Sequence, residues 1–361
     1  MKESTEQKEL FTKDLHRAID AMNHAHFISF APYVWEVSRL LADKNILRSL
    51  EEDVKGLTID DIASKIDMTH YGVRVLLEGG LGIGLVFRKN DLYFLTKAGY
   101  FFINDKSITA NYKFMRDVCY EGARFLEESI EESRPAGLKT LGEWDTIYEG
   151  LSKLSEPAKT SWFEFDHHYS DITFDEILPH VFKHNPARIL DIGGNTGKWA
   201  LKCFNYNDEV EVGLVDLGIQ LRVAEENISA AGFADRAQYY EINMLDATNE
   251  LPKGYDIIWM SQFLDCFSDD QILSILQMCH KVANEDTIIM INETFWDLQK
   301  FETSAFALQM TSLYFTIMAN GNSQMYDSKV FFKLIDKAGF KVIEQENMIG
   351  MGHTLLTLKK K

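Results

Sequence analysis

The stretch RILDIGGNTGKWALKC, residues 188–203, decides the fold class that we predict from the sequence. It begins with apolar, strand-like residues, passes through a turn rich in glycine and continues into a helix-like segment. Proteins with alternating strands and helices hold nucleotide-like cofactors at turns of this kind. We therefore expect an α/β domain with a ligand site at the carboxyl end of this strand.

The residues from about 176 onward extend the same pattern. Strand-like and helix-like segments alternate, which predicts a doubly wound α/β domain with its ligand at the carboxyl ends of the strands. The last two strand-like segments are expected to close the sheet as a terminal hairpin. The strand-like segments are 188–193, 211–216, 237–243, 255–261, 286–293, 341–348 and 353–360.

The N-terminal part has the pattern of a winged helix. Thr58 is placed to cap a helix, further helices flank it, and the short apolar runs 85–87 and 92–95 enclose a turn. The helix that would read DNA offers only Arg74 as a firm cation, so a dimerisation or scaffold role is favoured over DNA binding. We predict a helical domain with its connector over 1–175 and an α/β domain over 176–361.

Composition excludes several classes of function. The chain has 37 basic and 55 acidic residues, and its net charge of −18 disfavours nucleic acid and anionic membranes as partners. The N-terminus does not have the pattern of a signal peptide, and no apolar run reaches the roughly 18 residues of a membrane helix. The four cysteines lack CxxC spacing, so we expect no metal site and a cytoplasmic location.

The glycine turn matches neither the dinucleotide fingerprint nor the phosphate-binding loop, which requires a GK[ST] sequence. Asp191 stands directly ahead of the turn, where a carboxylate suits an ammonium group. Asp216 ends the second strand, where it can accept both hydroxyls of a ribose. Asn243 and Met244 follow the third strand and can meet the edge and face of an adenine. An ammonium, a ribose and an adenine in this order indicate S-adenosylmethionine.

With these motifs the chain resembles the class I S-adenosylmethionine-dependent O-methyltransferases of the plant small-molecule and bacterial antibiotic-tailoring type. The resemblance runs from about residue 30 to the end and rests on the winged helix together with several short motifs. It implies a homodimer formed through the N-terminal domain and a small-molecule acceptor. The motifs are LDIGGNTG at 190–197, VDL at 215–217, INM at 242–244, FLDCFSDDQILSIL at 263–276, NE at 292–293 and DSKVFFKLIDKAGF at 327–340.

The resemblance also implies a set of cofactor contacts. The methionine part would lie against the glycine turn, the ribose against the second strand, the adenine after the third strand, and the amino-acid end near the end of the fourth strand. The implied residues are, in that order, Asp191, Gly193, Gly194 and Gly197; Asp216 and Leu217; Asn243 and Met244; and Ser261 and Gln262.

The chain departs from the family at the catalytic base. Where the family has a histidine that deprotonates the acceptor, Asp265 stands in this sequence. A free aspartate has a pKa of about 3.9 and a phenol one of about 10, so Asp265 needs burial or a neighbouring charge such as Glu293 to act as base. A second acid of the family would fall near Met325 and is missing.

Two other routes to methyl transfer remain open. A histidine of the connector WFEFDHHYSD can replace the missing base across space, with His168 as the catalytic candidate and His167 as a substrate contact, unless both only pack at the domain interface. Alternatively, holding the acceptor in line with the activated methyl group supplies most of the acceleration without a base.

The acceptor is expected to lie against an apolar wall. Met310 and Tyr314 recur at helical spacing in the segment 304–326, and Trp296 follows the fifth strand. This wall suits a small hydrophobic acceptor, aromatic or polyene-like, with a hydroxyl or carboxyl oxygen. The alternatives are a C- or N-methyltransferase on the same fold, a regulator that binds the cofactor without turnover, and a winged-helix transcription factor.

Overall fold

The computed structural model describes residues 10–14, 16–170 and 173–361. It divides into two compact units, one from Thr12 to Val118 and one from Cys119 to Lys361 that also includes residues 10 and 11. Residues 119–175, which the sequence pattern groups with the N-terminal domain, thus belong to the α/β unit. The physical reason is packing, because Met318 of that unit fills the space that Gly122 and Gly137 leave open.

The N-terminal unit is the predicted winged helix. Thr58 caps its helix by accepting a hydrogen bond from the backbone N–H of Asp61, and the two strands of the wing pair in antiparallel fashion. Its core includes the fully buried side chains of Leu41, Ile62 and Leu77. The elements are α1 (Ala18–Ser29), α2 (Ala31–Asp43), α3 (Ile46–Glu52), α4 (Ile59–Ile66), α5 (His70–Gly82), β1 (Val86–Lys89), β2 (Leu92–Leu95), α6 (Lys97–Asn104) and α7 (Lys106–Phe114).

Helix α1 differs from its neighbours because it buries none of its residues within the unit. Its apolar side chains and those just after it face solvent, which is unusual for a helix of a monomeric domain. The exposed residues are Ile19, Met22, Phe27, Ile28, Phe30 and Tyr33.

The second unit begins with helical segments and continues as an α/β domain. No helix in the described ranges is long and apolar enough to cross a membrane. The elements are α8 (Leu126–Glu132), α9 (Ile147–Gly150), α10 (Ala158–Ser170), α11 (Phe174–Phe182), β3 (Arg188–Ile192), α12 (Lys198–Tyr206), β4 (Glu211–Asp216), α13 (Gly218–Ala230), β5 (Ala237–Glu241), β6 (Ile257–Ser261), α14 (Asp269–Val282), β7 (Ile288–Thr294), α15 (Glu302–Tyr314), α16 (Ser328–Lys337), β8 (Phe340–Ile349) and β9 (His353–Lys360).

The seven-stranded sheet has the order β5-β4-β3-β6-β7-β9-β8 and confirms each predicted strand. The first five strands of this order run parallel, and β9 pairs antiparallel with both β7 and β8 as the predicted hairpin. Because parallel strands end at one edge of a sheet, the residues after β3, β4, β6 and β7 are brought together there. Most residues of the central strands β3, β4, β6 and β7 are apolar and buried by helices on both faces.

Candidate active site

The glycine turn after β3 needs glycine for its backbone conformation and for its close packing. Gly193 and Gly197 have φ angles of +80° and +79°, a region that other residues rarely adopt. A side chain at Gly193 would also clash with the ring of Phe263. The turn is held to the sheet by the backbone N–H of Gly193, which donates to the carbonyl of Val215 at 2.9 Å. Gly193 is therefore the point at which the turn touches the loop that carries Asp265.

Gly194 covers the carboxylate of Asp191. A Cβ atom on Gly194 would lie 3.1 Å from Asp191 Oδ2 and 3.1 Å from the side chain of Leu214. At Gly197, where α12 begins, a Cβ atom would come within 3.0 Å of Ile228. Because these glycines have no side chains, the backbone of the turn lies close to the end of β3, which leaves room for a ligand to approach it.

Asp191 is a buried carboxylate with an unpaired oxygen. Its side chain is 2 % exposed, and Oδ2 has no hydrogen-bond partner within the described residues. Burial, and then the negative charge of Asp216, raise the pKa of Asp191 to about 8. An unsatisfied buried carboxylate is stabilised by a cation, so its chemistry fits the ammonium group predicted from the sequence.

Asp216 ends β4 and organises the turn. Its Oδ2 accepts a hydrogen bond from the backbone N–H of Asn195 at 2.9 Å, and its Oδ1 accepts one from Leu217 at 2.7 Å. Burial raises the pKa of Asp216, while these two backbone bonds oppose the shift. Each oxygen keeps a second lone pair, so the carboxylate can still accept ribose hydroxyls. The side chain of Leu217 is exposed beside it.

The predicted adenine contacts lie in different surroundings. Asn243 is exposed, and its Oδ1 accepts a hydrogen bond from the backbone N–H of Leu245 at 2.9 Å. Its side-chain NH₂ group is thus the part left for an adenine edge. Met244 is buried in the core with Val215 and Leu251, so most of its side chain packs inside the domain.

A polar network follows β6. Ser261 accepts a hydrogen bond from the side chain of Asn292 at 3.0 Å. Gln262 has a φ of +46°, donates to the carbonyl of Tyr169 at 3.2 Å, and lies with its Nε2 2.5 Å from Nε2 of His353. His353 is fully buried, and burial lowers its pKa to about 4, so it is neutral at pH 7. The strand-like sequence pattern of the terminal hairpin does not distinguish His353 from the other residues of that strand.

The loop after β6 is held by Glu293 at the end of β7. Its Oε1 accepts hydrogen bonds from the backbone N–H groups of Phe263 and Leu264 at 3.0 and 2.8 Å. In the family this acid is expected to orient a histidine, whereas here it binds the backbone next to Asp265. Glu293 therefore positions the loop through its main chain.

Two further side chains bind the same loop from later parts of the chain. Nδ2 of Asn320, just after α15 and a short π-helix, donates to the carbonyl of Cys266 at 2.6 Å. The hydroxyl of Tyr326 donates to the carbonyl of Phe267 at 2.6 Å. Neither residue is recognisable from a motif, because each acts through a backbone contact that only the fold creates.

Asp265 and Glu293 form a buried pair of carboxyl groups. They are 5 % and 1 % exposed, and Asp265 Oδ1 and Glu293 Oε2 find no hydrogen-bond partner in the described part of the chain. Burial raises the pKa of Asp265 to about 6, while bonds from the Cys266 thiol and the loop backbone oppose the shift. Burial, and then the charge of Asp265, raise the pKa of Glu293 well above its usual value. Both shifts favour the neutral forms of the two carboxyl groups.

Tyr148 of α9 reaches the same cluster and was missed from the sequence. Its hydroxyl is shielded from solvent and lies next to the Cys266 thiol. Burial, followed by the neighbouring groups of Cys266, Tyr314 and Asp265, raises the pKa of Tyr148 well above its usual value. The only sequence signal is an aromatic residue in an irregular stretch, which does not distinguish it from a core residue.

The connector histidines lie on α10. His167 Nδ1 is 2.9 Å from the ammonium nitrogen of Lys198, the first residue of α12, and 3.8 Å from a carboxylate oxygen of Asp166. This places His167 beside the glycine turn. The ring of His168 packs edge-on against Tyr169 with 4.9 Å between ring centres.

The structure brings together only part of the predicted acceptor wall. Tyr314 is buried beside Tyr148, and its hydroxyl accepts a hydrogen bond from the indole N–H of Trp162 at 2.8 Å. Met310 is exposed, while Trp296 is half-buried with its ring 6.4 Å from that of Phe11. The sulfur of Met325 accepts a hydrogen bond from Thr294 at 3.4 Å, and Thr294 directly follows Glu293 in the chain.

Comparison with known protein families matches both parts of the chain. Residues 22–93 match the Dimerisation2-like domain, and residues 125–341 match the O-methyltransferase domain. The O-methyltransferase SfmM3 of Streptomyces lavendulae is 23 % identical over 183 residues, which are 49 % of this chain and 53 % of that protein. The chain therefore matches about half the length of this curated relative.

Solved structures share the fold over nearly the whole chain. The S-adenosylmethionine-dependent methyltransferase SibL, in its apo form, has a TM-score of 0.70 at 18 % identity and covers 93 % of this chain and 98 % of its own. The O-methyltransferase NcsB1 of neocarzinostatin biosynthesis, in complex with S-adenosylmethionine and 2-hydroxy-5-methyl naphthoic acid, has a TM-score of 0.66 at 18 % identity. It covers 96 % of this chain and 100 % of its own.

Proposed function

Because this chain belongs to the O-methyltransferase domain family, we propose that it binds S-adenosylmethionine and methylates an oxygen of a small hydrophobic acceptor. The observation that carries the proposal is the buried, unpaired carboxylate of Asp191 beneath the backbone of Gly194. When bound, the cofactor supplies a methyl group activated by a positively charged sulfur.

The residues at the strand ends have the chemistry to hold this cofactor. Asp191 would bind the ammonium group, which compensates its buried charge, and Asp216 would accept the ribose hydroxyls with its free lone pairs. Asn243 would offer its NH₂ group to the adenine. Ser261 and Gln262 would line the amino-acid end, where Gln262 is kept in place by Tyr169 and His353.

At the acceptor end, Asp265 is the base that the geometry favours. With a pKa of about 6 it is mostly ionised at pH 7, and its unpaired Oδ1 can accept the proton of an acceptor hydroxyl. Glu293 and Asn320 hold the loop that carries it, so the carboxylate is fixed before the acceptor arrives. Holding the acceptor in line with the activated methyl group supplies the rest of the rate acceleration.

An aromatic acceptor fits this site better than the polyene alternative. NcsB1, which has the same fold, binds a naphthoic acid. Tyr148, Tyr314 and Trp162 gather in one cluster in this chain, and flat rings pack well against such side chains. His168 remains a candidate base from the connector, and the variants of Asp265 described below separate the two.

Calorimetric titration with S-adenosylmethionine and S-adenosylhomocysteine tests the cofactor assignment. We expect micromolar binding of both compounds by the full chain. Asp216→Ala removes the ribose acceptors and should weaken binding about tenfold or more. Asp208→Ala, which changes an exposed acid of the same domain, serves as the control. Failure of the unaltered protein to bind either compound would overturn the proposed function.

We further propose that two copies of the chain associate through the exposed face of α1. The N-terminal residues match a dimerisation-type domain, and the apolar side chains of α1 are left uncovered within their own unit. A second copy would bury these side chains and remove their contact with water.

Sedimentation velocity of the full chain tests this association. Ile28→Glu on α1 should convert dimers to monomers, because it places a charge inside the apolar contact. Ile130→Glu, at an equally exposed isoleucine of α8, should leave the dimer intact. A monomeric unaltered protein, or a dimer that tolerates Ile28→Glu, would refute the assignment.

A further inference from the structure

Gln262, directly after β6, has a backbone conformation that is rare for its residue type. Its φ angle of +46° lies in the left-handed region, which residues other than glycine seldom adopt. The backbone N–H of Gln262 donates to the carbonyl of Asn292 at 2.9 Å, so the neighbouring strand holds this conformation. Strained residues of this kind cluster at ligand sites, where they place a side chain that is needed there.

Gln262 lies beside the glycine turn that would hold the cofactor. The strands β3 and β6 are adjacent and parallel, so the residues that follow them are neighbours at the same edge of the sheet. The ring of Phe263, the next residue in the chain, packs against Gly193 of the turn. Gln262 therefore stands next to the strand end at which the buried carboxylate of Asp191 has an unpaired oxygen.

The NH₂ group of the Gln262 amide is fully used inside the protein. Nε2 donates to the carbonyl of Tyr169 at 3.2 Å and also lies at hydrogen-bond distance from Nε2 of His353. A backbone carbonyl can only accept, so the amide must turn its NH₂ group to this side. The amide oxygen Oε1 then lies on the other side, where it makes no hydrogen bond within the described residues. Because Gln262 is half-buried and Oε1 is not sealed from solvent, a ligand can reach this acceptor.

His353 of β9 is the second group that fixes the amide. Burial lowers its pKa to about 4, while a hydrogen bond to the carbonyl of Ile349 opposes the shift, so the imidazole is neutral at pH 7. A neutral imidazole has one donor and one acceptor nitrogen. Since Gln262 offers a donor, Nε2 of His353 accepts and the hydrogen lies on Nδ1. The histidine therefore prevents the amide from rotating its oxygen into the interior.

We propose that His353 is a positioning residue which, through Gln262, directs an amide oxygen to the ammonium group of the cofactor. The ammonium group is the donor at the amino-acid end of S-adenosylmethionine, and it has three hydrogens to place. Asp191 would take part of them with its unpaired oxygen, and Gln262 would supply the second acceptor. This inference rests on the proposed binding of S-adenosylmethionine and specifies how the same site recognises a free amino group.

Displacement calorimetry on the full chain separates the amino group from the rest of the cofactor. The probes are S-adenosylhomocysteine and its deaminated analogue, in which a hydrogen atom replaces the amino group. His353→Leu removes the imidazole acceptor with little change in side-chain volume. The affinity for S-adenosylhomocysteine should fall roughly three- to tenfold, the value of one hydrogen bond, while that for the analogue should stay within about twofold.

Further variants assign the effect to the pair. Gln262→Leu should cause at least the same selective loss, and the double variant should lose no more than Gln262→Leu alone, because both changes remove one contact. His353→Gln should retain the affinity, since its amide oxygen can accept in place of Nε2. Thr354→Val is the control, because it removes a buried hydroxyl that donates to Asn347 from the next residue of β9. It should change neither affinity.

Nitrogen NMR of the full chain labelled in histidine tests the imidazole itself. One ring should carry its hydrogen on Nδ1 and stay neutral down to about pH 5, because burial keeps its pKa at about 4. His353→Gln assigns this signal by removing it. A hydrogen on Nε2 would overturn the inference, because the imidazole could not then accept from Gln262.

The outcomes distinguish the inference from the proposed function. No binding of S-adenosylhomocysteine by the unaltered protein would overturn both. If that compound binds, the inference alone is overturned when His353→Leu weakens both probes equally or weakens neither. Additive losses in the double variant would also overturn it. Should His353→Leu fail to fold, Gln262→Leu and the NMR signal of the unaltered protein give the same decision.

Discussion

The cofactor end and the acceptor end of the α/β domain are built in different ways. At the cofactor end, Asp191, the glycines and Asp216 lie in short segments at or directly after the ends of β3 and β4, and backbone conformation sets their positions. At the acceptor end, the loop with Asp265 is held by side chains from β7, from the segment after α15 and from Tyr326. The two ends meet where the Phe263 ring packs on Gly193.

This difference indicates which changes each end can tolerate. The cofactor end depends on glycine conformations and on two carboxylates, so few residues can be replaced there without loss of the site. The acceptor end depends on long-range hydrogen bonds to the loop backbone, so Asp265 can stand where the family has a histidine while the supporting strand ends stay in place. Variants at each end should therefore affect different measured quantities.

The largest expected effect is that of Asp265→Asn on turnover. Loss of a general base typically lowers kcat by about 10²- to 10⁴-fold, while the affinity for S-adenosylmethionine should stay within about twofold. In the unaltered protein the rate should fall as the pH drops below about 6, because the carboxylate becomes protonated. The variant should lose this dependence. Asp270→Asn, at an exposed acid of α14, is the control. An unchanged rate for Asp265→Asn would assign the reaction to a connector histidine or to alignment alone.

The next effect in size is that of Asp191→Asn on cofactor binding. Removing the buried charge should weaken binding of S-adenosylmethionine roughly a hundredfold, or about 3 kcal/mol, as measured by calorimetry. In the unaltered protein, affinity should rise with pH up to about 8 and binding should release a proton, because only the ionised carboxylate pairs with the ammonium group.

The same substitution tests the stability of the unliganded protein. The folded-state pKa of Asp191 lies above that of the unfolded chain, so the folded protein loses stability as the pH rises from about 4 to 8. Asp191→Asn removes this loss and should raise the melting temperature at pH 8 relative to pH 5. An identical pH dependence of melting in both proteins would contradict the buried, protonated carboxyl group.

The smallest expected effect is that of Asn320→Ala, which removes a bond to the active-site loop without touching a reacting group. Loss of the bond to the Cys266 carbonyl should lower kcat several-fold and the unfolding free energy by about 1–2 kcal/mol. Cofactor affinity should not change. Asn322→Ala, at an exposed asparagine nearby, should alter neither quantity. If cofactor affinity fell as much as kcat, the cofactor end and the acceptor end would not act independently of each other.

The sequence by itself determined the fold class and the local conformation of the glycine turn. Strand boundaries follow from local apolar runs, and β4 and β9 begin and end where the pattern predicts. The glycine turn is also a local feature, because a positive φ angle and close packing leave little choice of residue. Asp265 was identified because its neighbours in the chain match a family motif, and the structure buries it and raises its pKa to about 6.

The tertiary structure decided the contacts that make the acceptor end work. Tyr148, Asn320 and His353 belong to segments without a motif, and each acts on a residue far away in the chain. It also decided that residues 119–175 pack with the α/β domain and that the core encloses Met244. Local sequence patterns report which face of an element is buried, whereas burial of a polar group beside a particular partner depends on how distant elements pack.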